Sequence, residues 1–182
     1  MAEHARKIAF IGYCGLIDSA GVTRIAQTLN AAVNQHYDSI HLCLSSIGGY
    51  VGDGVYLYNH ILSLPLQVTV HNTGTVGSVA ATLFTAGKRR YCAPTAIFMM
   101  HPVSVDANGI GSSPLKAALA AALADEARTE TILRQRTSIP ECILAQRRSG
   151  DVYITPEQAL GYGLIDEIRD FTLPAGEKLF QI

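Results

Sequence analysis

Thr73-Gly74-Thr75-Val76-Gly77-Ser78-Val79-Ala80-Ala81-Thr82-Leu83-Phe84-Thr85-Ala86-Gly87 is the stretch on which the fold turns. It follows Gln67-Val68-Thr69-Val70-His71, whose alternation has the period of a strand, and passes into small residues of helical character. Ser78 stands at the junction. Gly74 and Gly77 let the backbone turn sharply and let other groups come close. A serine in the first turn of a helix lies beside unpaired N–H groups and the positive end of the helix dipole. Those features suit a nucleophile whose attack creates an oxyanion. They equally describe a serine that caps the helix, and on this stretch alone the cap is the better reading.

Working outward, residues 7–13 read as a first strand, and Asp18-Ser19 as the cap of a helix with Val22, Ile25, Ala26, Leu29 and Val33 on one face. Residues 40–45 form a second strand and Ser46-Ile47-Gly48-Gly49 a tight turn. A helix over 52–62 is stopped by Pro65. Residues 67–71 are the third strand. After the Ser78 helix, two short strands at 89–93 and 96–100 flank Pro94-Thr95 and end at His101. Strands alternating with helices predict an α/β core with mostly parallel pairing. Beyond His101, residues 102–114 read as loop, and a long alanine-rich helix over about 115–136 reads either as one that projects toward a partner or as an ordinary packed helix. A helix from Ile139-Pro140 to about Arg148 follows. Thr155-Pro156-Glu157-Gln158 starts another, which Gly163 ends, and 165–168 is a last strand. No repeat or low-complexity linker divides the chain, so 1–182 reads as a single domain.

Composition bounds the function. Of 182 residues, 48% are hydrophobic and 16% charged, which describes a globular chain. A formal net charge of -1 without a basic run argues against nucleic acid. Cys14, Cys43, Cys92 and Cys142 are scattered and form no C-x-x-C pair, so neither a disulfide framework nor a zinc site is expected, and a reducing cytoplasm is the default. Ile8-Ala9-Phe10-Ile11 is too short for a secretory or membrane segment. No metal or cofactor is expected. There is no Gly-x-x-x-x-Gly-Lys-Ser/Thr loop, so any dependence on ATP must come from a partner.

Acyl transfer by serine needs a base and a carboxylate to orient it. His41, His71 and His101 lie in suitable α/β positions. His101 has a modest edge, because it ends an apolar strand and active sites of α/β folds gather at strand ends. Asp106, Asp151 and Asp166 are the candidate carboxylates, and the residues alone do not choose among them. Gly48-Gly49, after a buried strand, can expose successive N–H groups to an oxyanion or to an extended peptide.

Together and in this order, four segments resemble the Clp protease proteolytic subunit (ClpP-like) family of serine peptidases. They are residues 42–49, Gly77-Ser78-Val79-Ala80-Ala81 with Thr85-Ala86-Gly87, residues 94–101, and Asp151-Val152-Tyr153-Ile154-Thr155-Pro156-Glu157-Gln158-Ala159 through Tyr162-Gly163-Leu164-Ile165-Asp166. The likeness spans about residues 8–168. It implies a crotonase-like α/β fold, ring assembly through the long helix, and an enclosed chamber. Position by position, it makes Ser78 the nucleophile, His101 the base and Asp151, not Asp166, the third member. It gives the oxyanion hole to the backbone amides of Gly49 and Val79, while substrate pairing at Gly48-Gly49 is the reading of the double glycine itself.

The chain also departs from the family pattern. Ile47 stands where proline is usual before the double glycine, and Pro102 where glutamine commonly follows the histidine. The segment 87–94 is somewhat short. Axial loops before the first strand look absent, which bears on docking to an AAA+ unfoldase. The leading expectation is a homo-oligomeric serine endopeptidase of short or unfolded polypeptides. The alternatives are an acyl-CoA-binding crotonase-like protein and a silent ring subunit. A serine–lysine peptidase is weaker, since Lys88 and Lys116 fall in no matching motif.

Overall fold

Alternate residues of the central strands decide which side of the sheet is buried. The computed structural model describes residues 6–105 and 111–182. In β2 (Ser39–Ser46), Ile40, Leu42 and Leu44 have no exposed surface. They share one core with Ile11 of β1 (Ile8–Cys14) and with Val68 and Val70 of β3 (Gln67–Gly77). The helices close that core through Ile25 and Leu29 of α1 (Ser19–Asn34), Leu57 and Ile61 of α2 (Val51–Ser63), and the wholly buried α3 (Val79–Phe84). The Asp18 carboxylate caps α1 by accepting the Gly21 N–H at 2.7 Å, as expected from the sequence.

The remaining elements are β4 (Arg89–Cys92), β5 (Ile97–Met100), α4 (Ser112–Arg136), α5 (Glu141–Arg147), β6 (Val152–Ile154), α6 (Pro156–Gly161), β7 (Glu167–Ile168) and β8 (Leu179–Gln181). The sheet runs β6-β5-β3-β2-β1-β8, with β4 joining β3 to β7. Its ladders are parallel except β5–β6, which is antiparallel. The α/β class and the mostly parallel core are therefore as expected, and the long helix is α4. Thr155 and Gln158 form the capping box of α6, with Pro156 at its first position.

Two boundaries differ from expectation, and two short strands are added. β3 runs on past His71 to Gly77. Buried Asn72 carries it through the irregular stretch: its side-chain amide donates to the Ile97 carbonyl at 3.0 Å and its side-chain oxygen accepts the Gly74 N–H at 3.1 Å. α4 begins at Ser112, so Ser112, Ser113 and Pro114 belong to its first turn, while residues 106–110 lie outside the described residues. β6 and β8 are strands of three residues each, too short to show a period.

His41 and His71 occupy the other face of the sheet. Their rings stack at 5.1 Å, with His41 Nδ1 and His71 Nε2 2.9 Å apart. Phe10, Tyr91 and Phe171 surround them. Burial, then the neighbouring His41 and Arg169, pushes His71 down to about 3. Asp166 is likewise committed elsewhere: its carboxylate accepts the Arg90 N–H at 2.9 Å and its own N–H donates to the Arg90 carbonyl at 2.8 Å.

Candidate active site

Strand register brings three of the expected residues to one corner. β3 and β5 pair in parallel up to Gly77 and Met99, and the next N–H, that of Ser78, donates to the Met99 carbonyl at 2.8 Å. β5 and β6 pair antiparallel up to Met100 and Val152. One further step along that ladder on each strand are His101 and Asp151. Ser78, His101 and Asp151 thus stand at adjacent ends of β3, β5 and β6.

The local backbone explains why serine and glycine occupy this corner. Ser78 has φ 53° and ψ -130°, a left-handed conformation that side chains disfavour, and the strand turns into α3 there. Strand, sharp serine and helix follow one another in that order, the local shape a nucleophile elbow also has. Ser78 holds the N-cap position of α3, yet its side chain makes no capping hydrogen bond. The hydroxyl is thus not spent on the helix, which removes the capping explanation. Gly48 passes so close that a Cβ there would lie 2.5 Å from the Ser78 Cβ and 3.2 Å from its Oγ. A Cβ on Gly49 would lie 2.2 Å from the Ile17 carbonyl oxygen.

A cavity of about 220 Å³ opens here, and Gly48, Gly49, Ser78, Val79 and His101 line it. The turn is fixed by Ile17, whose N–H donates to Gly48 and whose carbonyl accepts the Tyr50 N–H, at 2.9 and 2.8 Å. The Gly48 N–H donates to the Ser46 hydroxyl at 3.1 Å. Among the described residues, the N–H groups of Gly49 and Val79 meet no backbone carbonyl. Two such donors beside a hydroxyl can stabilise negative charge on a bound carbonyl oxygen. His101 is half-buried. Asp151 is exposed and is not part of the cavity wall. Among the described residues no hydrogen bond joins Ser78, His101 and Asp151. Asp106 falls outside those residues, and Lys88 and Lys116 are exposed and away from the cavity wall.

Sequence reasoning missed Arg147 and Thr129, which also line the cavity. Arg147 is only 5% exposed, and one guanidinium nitrogen, Nη2, donates to the Thr129 Oγ at 3.1 Å. Burial lowers its pKa from the usual arginine value, with the Glu126 and Glu130 charges opposing. The available signal was spacing: Leu144 and Arg147 stand three apart in α5 and share its buried side. Glu130, also buried, is bonded by Arg134 and Arg148, and Arg134 reaches Glu141 at 2.8 Å. The Arg148 hydrogen bond leads in holding the Glu130 carboxyl below its ordinary range. This network ties α4 to α5, the helix just before Asp151.

Among the described residues, no helix is long and apolar enough to cross a membrane, and no group of three or more His, Cys, Asp or Glu could hold a metal ion. The Clp protease family model matches residues 4–171. The chain is 29% identical over 148 residues to the ATP-dependent Clp protease proteolytic subunit 2 of Chlamydia muridarum (strain MoPn / Nigg), covering 80% of this chain and 72% of that protein. It has the same identity and coverage against the ATP-dependent Clp protease proteolytic subunit 1 of Chlamydia felis (strain Fe/C-56). A match over nearly the whole chain, on an α/β fold of mostly parallel strands, establishes that this chain belongs to the Clp protease family of serine peptidases.

Proposed function

We propose that the chain is an endopeptidase of short or unfolded polypeptides, using Ser78, His101 and Asp151 inside a homo-oligomeric ring. The observation that carries this reading is the register of β3, β5 and β6, which gathers those residues around a serine whose hydroxyl is not used for capping. Ser78 Oγ attacks the peptide carbonyl, forming a C–O bond as its proton passes to His101. The Gly49 and Val79 N–H groups receive the oxyanion. Collapse breaks the C–N bond, and His101 protonates the departing amine. Water, deprotonated by the same histidine, then releases the acid and restores Ser78. Asp151 is the carboxylate assigned to hold the His101 tautomer.

Access sets the substrate class. An extended strand pairs beside Gly48 and Gly49, displacing the Ser46 hydroxyl from the Gly48 N–H, whereas a folded protein offers no free strand. Purified protein is expected to cleave unstructured peptides without ATP and to leave a stable globular substrate intact. Rapid ATP-independent digestion of the folded protein would show this account of access to be wrong. An AAA+ unfoldase would have to come from outside the chain, and the expected lack of axial loops concerns residues 1–5, which lie outside the described ones.

Ring formation rests on α4. Leu115, Leu119 and Leu123 are 44%, 55% and 58% exposed and recur every four residues, so they form one apolar stripe. A heterologous contact through such a stripe, repeated around an axis, closes a ring. Light scattering should therefore report an assembly larger than a dimer; a stable monomer at micromolar concentration would refute it.

A further inference from the structure

We propose that Arg147 selects an acidic side chain, glutamate foremost, on the residue whose carbonyl Ser78 attacks. This inference rests on the peptidase reading and names its substrate class. Three observations support it. Arg147 and Ser78 line one cavity of about 220 Å³, so a side chain beside the scissile carbonyl reaches the guanidinium without leaving the site. Arg147 is only 5% exposed, and among the described residues its Nη1 is buried with no hydrogen-bond partner. Its Nη2 is already directed by Thr129, whose hydroxyl in turn donates toward the carbonyls of Asp125 and Glu126 at 2.9 and 3.0 Å.

A buried cation with an unmet donor is costly to maintain unless something completes its pairing. Among the described residues, the protein's own acids do not do so. Glu130 is engaged by Arg134 and Arg148, and Glu126, though near enough to act on Arg147 through its charge, leaves a buried carboxylate oxygen without a partner. A substrate carboxylate that reaches Nη1 supplies a charge-assisted bond, and the fixed guanidinium plane suits a carboxylate. The cavity wall is otherwise graded for such a side chain. Leu16, Ile47 and Val79 present apolar surface to its methylenes, while Thr82, Thr129 and Arg147 supply polar groups. A leucine in the same place would leave the guanidinium unpaired.

The test uses the full-length protein and matched internally quenched peptides that differ only at the residue before the scissile bond: Glu, Asp, Gln or Leu. Glu is expected to exceed its isostere Gln by about 10- to 100-fold in kcat/KM. In Arg147→Met the Glu/Gln ratio should fall to near one. Equal cleavage of Glu and Gln by the wild-type protein, or preference for Leu over Glu, overturns the inference and leaves the peptidase reading standing. That wild-type comparison decides the matter even if Arg147→Met fails to fold. A Glu preference that persists in folded Arg147→Met also overturns it. If no peptide is cleaved and a fluorophosphonate fails to label Ser78, the peptidase reading falls and this inference with it.

Discussion

Ser78→Ala is expected to lower peptide hydrolysis by at least about 10⁴-fold and to abolish labelling by a fluorophosphonate. The expectation follows from the Ser78 backbone. The serine sits at the end of a buried strand, with its N–H fixed on the Met99 carbonyl and its hydroxyl free of any capping bond. A hydroxyl that only capped α3 would give a stability loss of about 1 kcal/mol on substitution and no change in labelling. The two roles therefore separate cleanly. Undiminished labelling of the alanine variant, with the adduct mapping elsewhere, would reject the assignment.

The second large effect is non-additivity between His101 and Asp151. The two residues follow directly on Met100 and Val152, the last pair of the β5–β6 ladder, one on each strand. If they act on Ser78 as a unit, His101→Ala and the double variant with Asp151→Asn should lose nearly the same activity, on the order of 10³-fold or more. Asp166→Asn is the control. Its carboxylate accepts the Arg90 N–H, so the change is expected to lower stability while folded protein remains active. His71→Ala is the second control, since His71 lies in the aromatic cluster with His41 and Phe171. Activity that survives His101→Ala and disappears in His71→Ala would reassign the base.

Much of this was readable in the sequence, for physical reasons that differ from place to place. The long alternations of β2 and β3 and the capped starts of α1 and α6 are local signals, and they gave the α/β class. Ser78 was visible as a serine at a helix start just after Gly77, and His101 as the end of an apolar strand. Asp151 was not. Its place at the same end of the β5–β6 ladder as His101 depends on β6, a strand of three residues paired to a neighbour more than fifty positions earlier, and no local pattern reports such a pairing. Only resemblance to the family singled it out. Arg147 was hidden by its chemistry, since an arginine near the end of a charged segment reads as surface, yet here it is buried with Leu144.

The left-handed backbone at Ser78 has a thermodynamic meaning of its own. A non-glycine residue held in a sparsely populated region costs about 1–3 kcal/mol, against a total stability for a domain of about 5–15 kcal/mol. The chain tolerates that loss by locking both sides of the residue: the Met99 carbonyl holds its N–H, and a fully buried α3 follows it. The corner is thus a loaded spring whose tension is set by the scaffold, ready before any substrate arrives. Alanine carries the same Cβ and inherits the tension, while glycine would release it. Alanine is for that reason the replacement that removes the hydroxyl and leaves the spring wound.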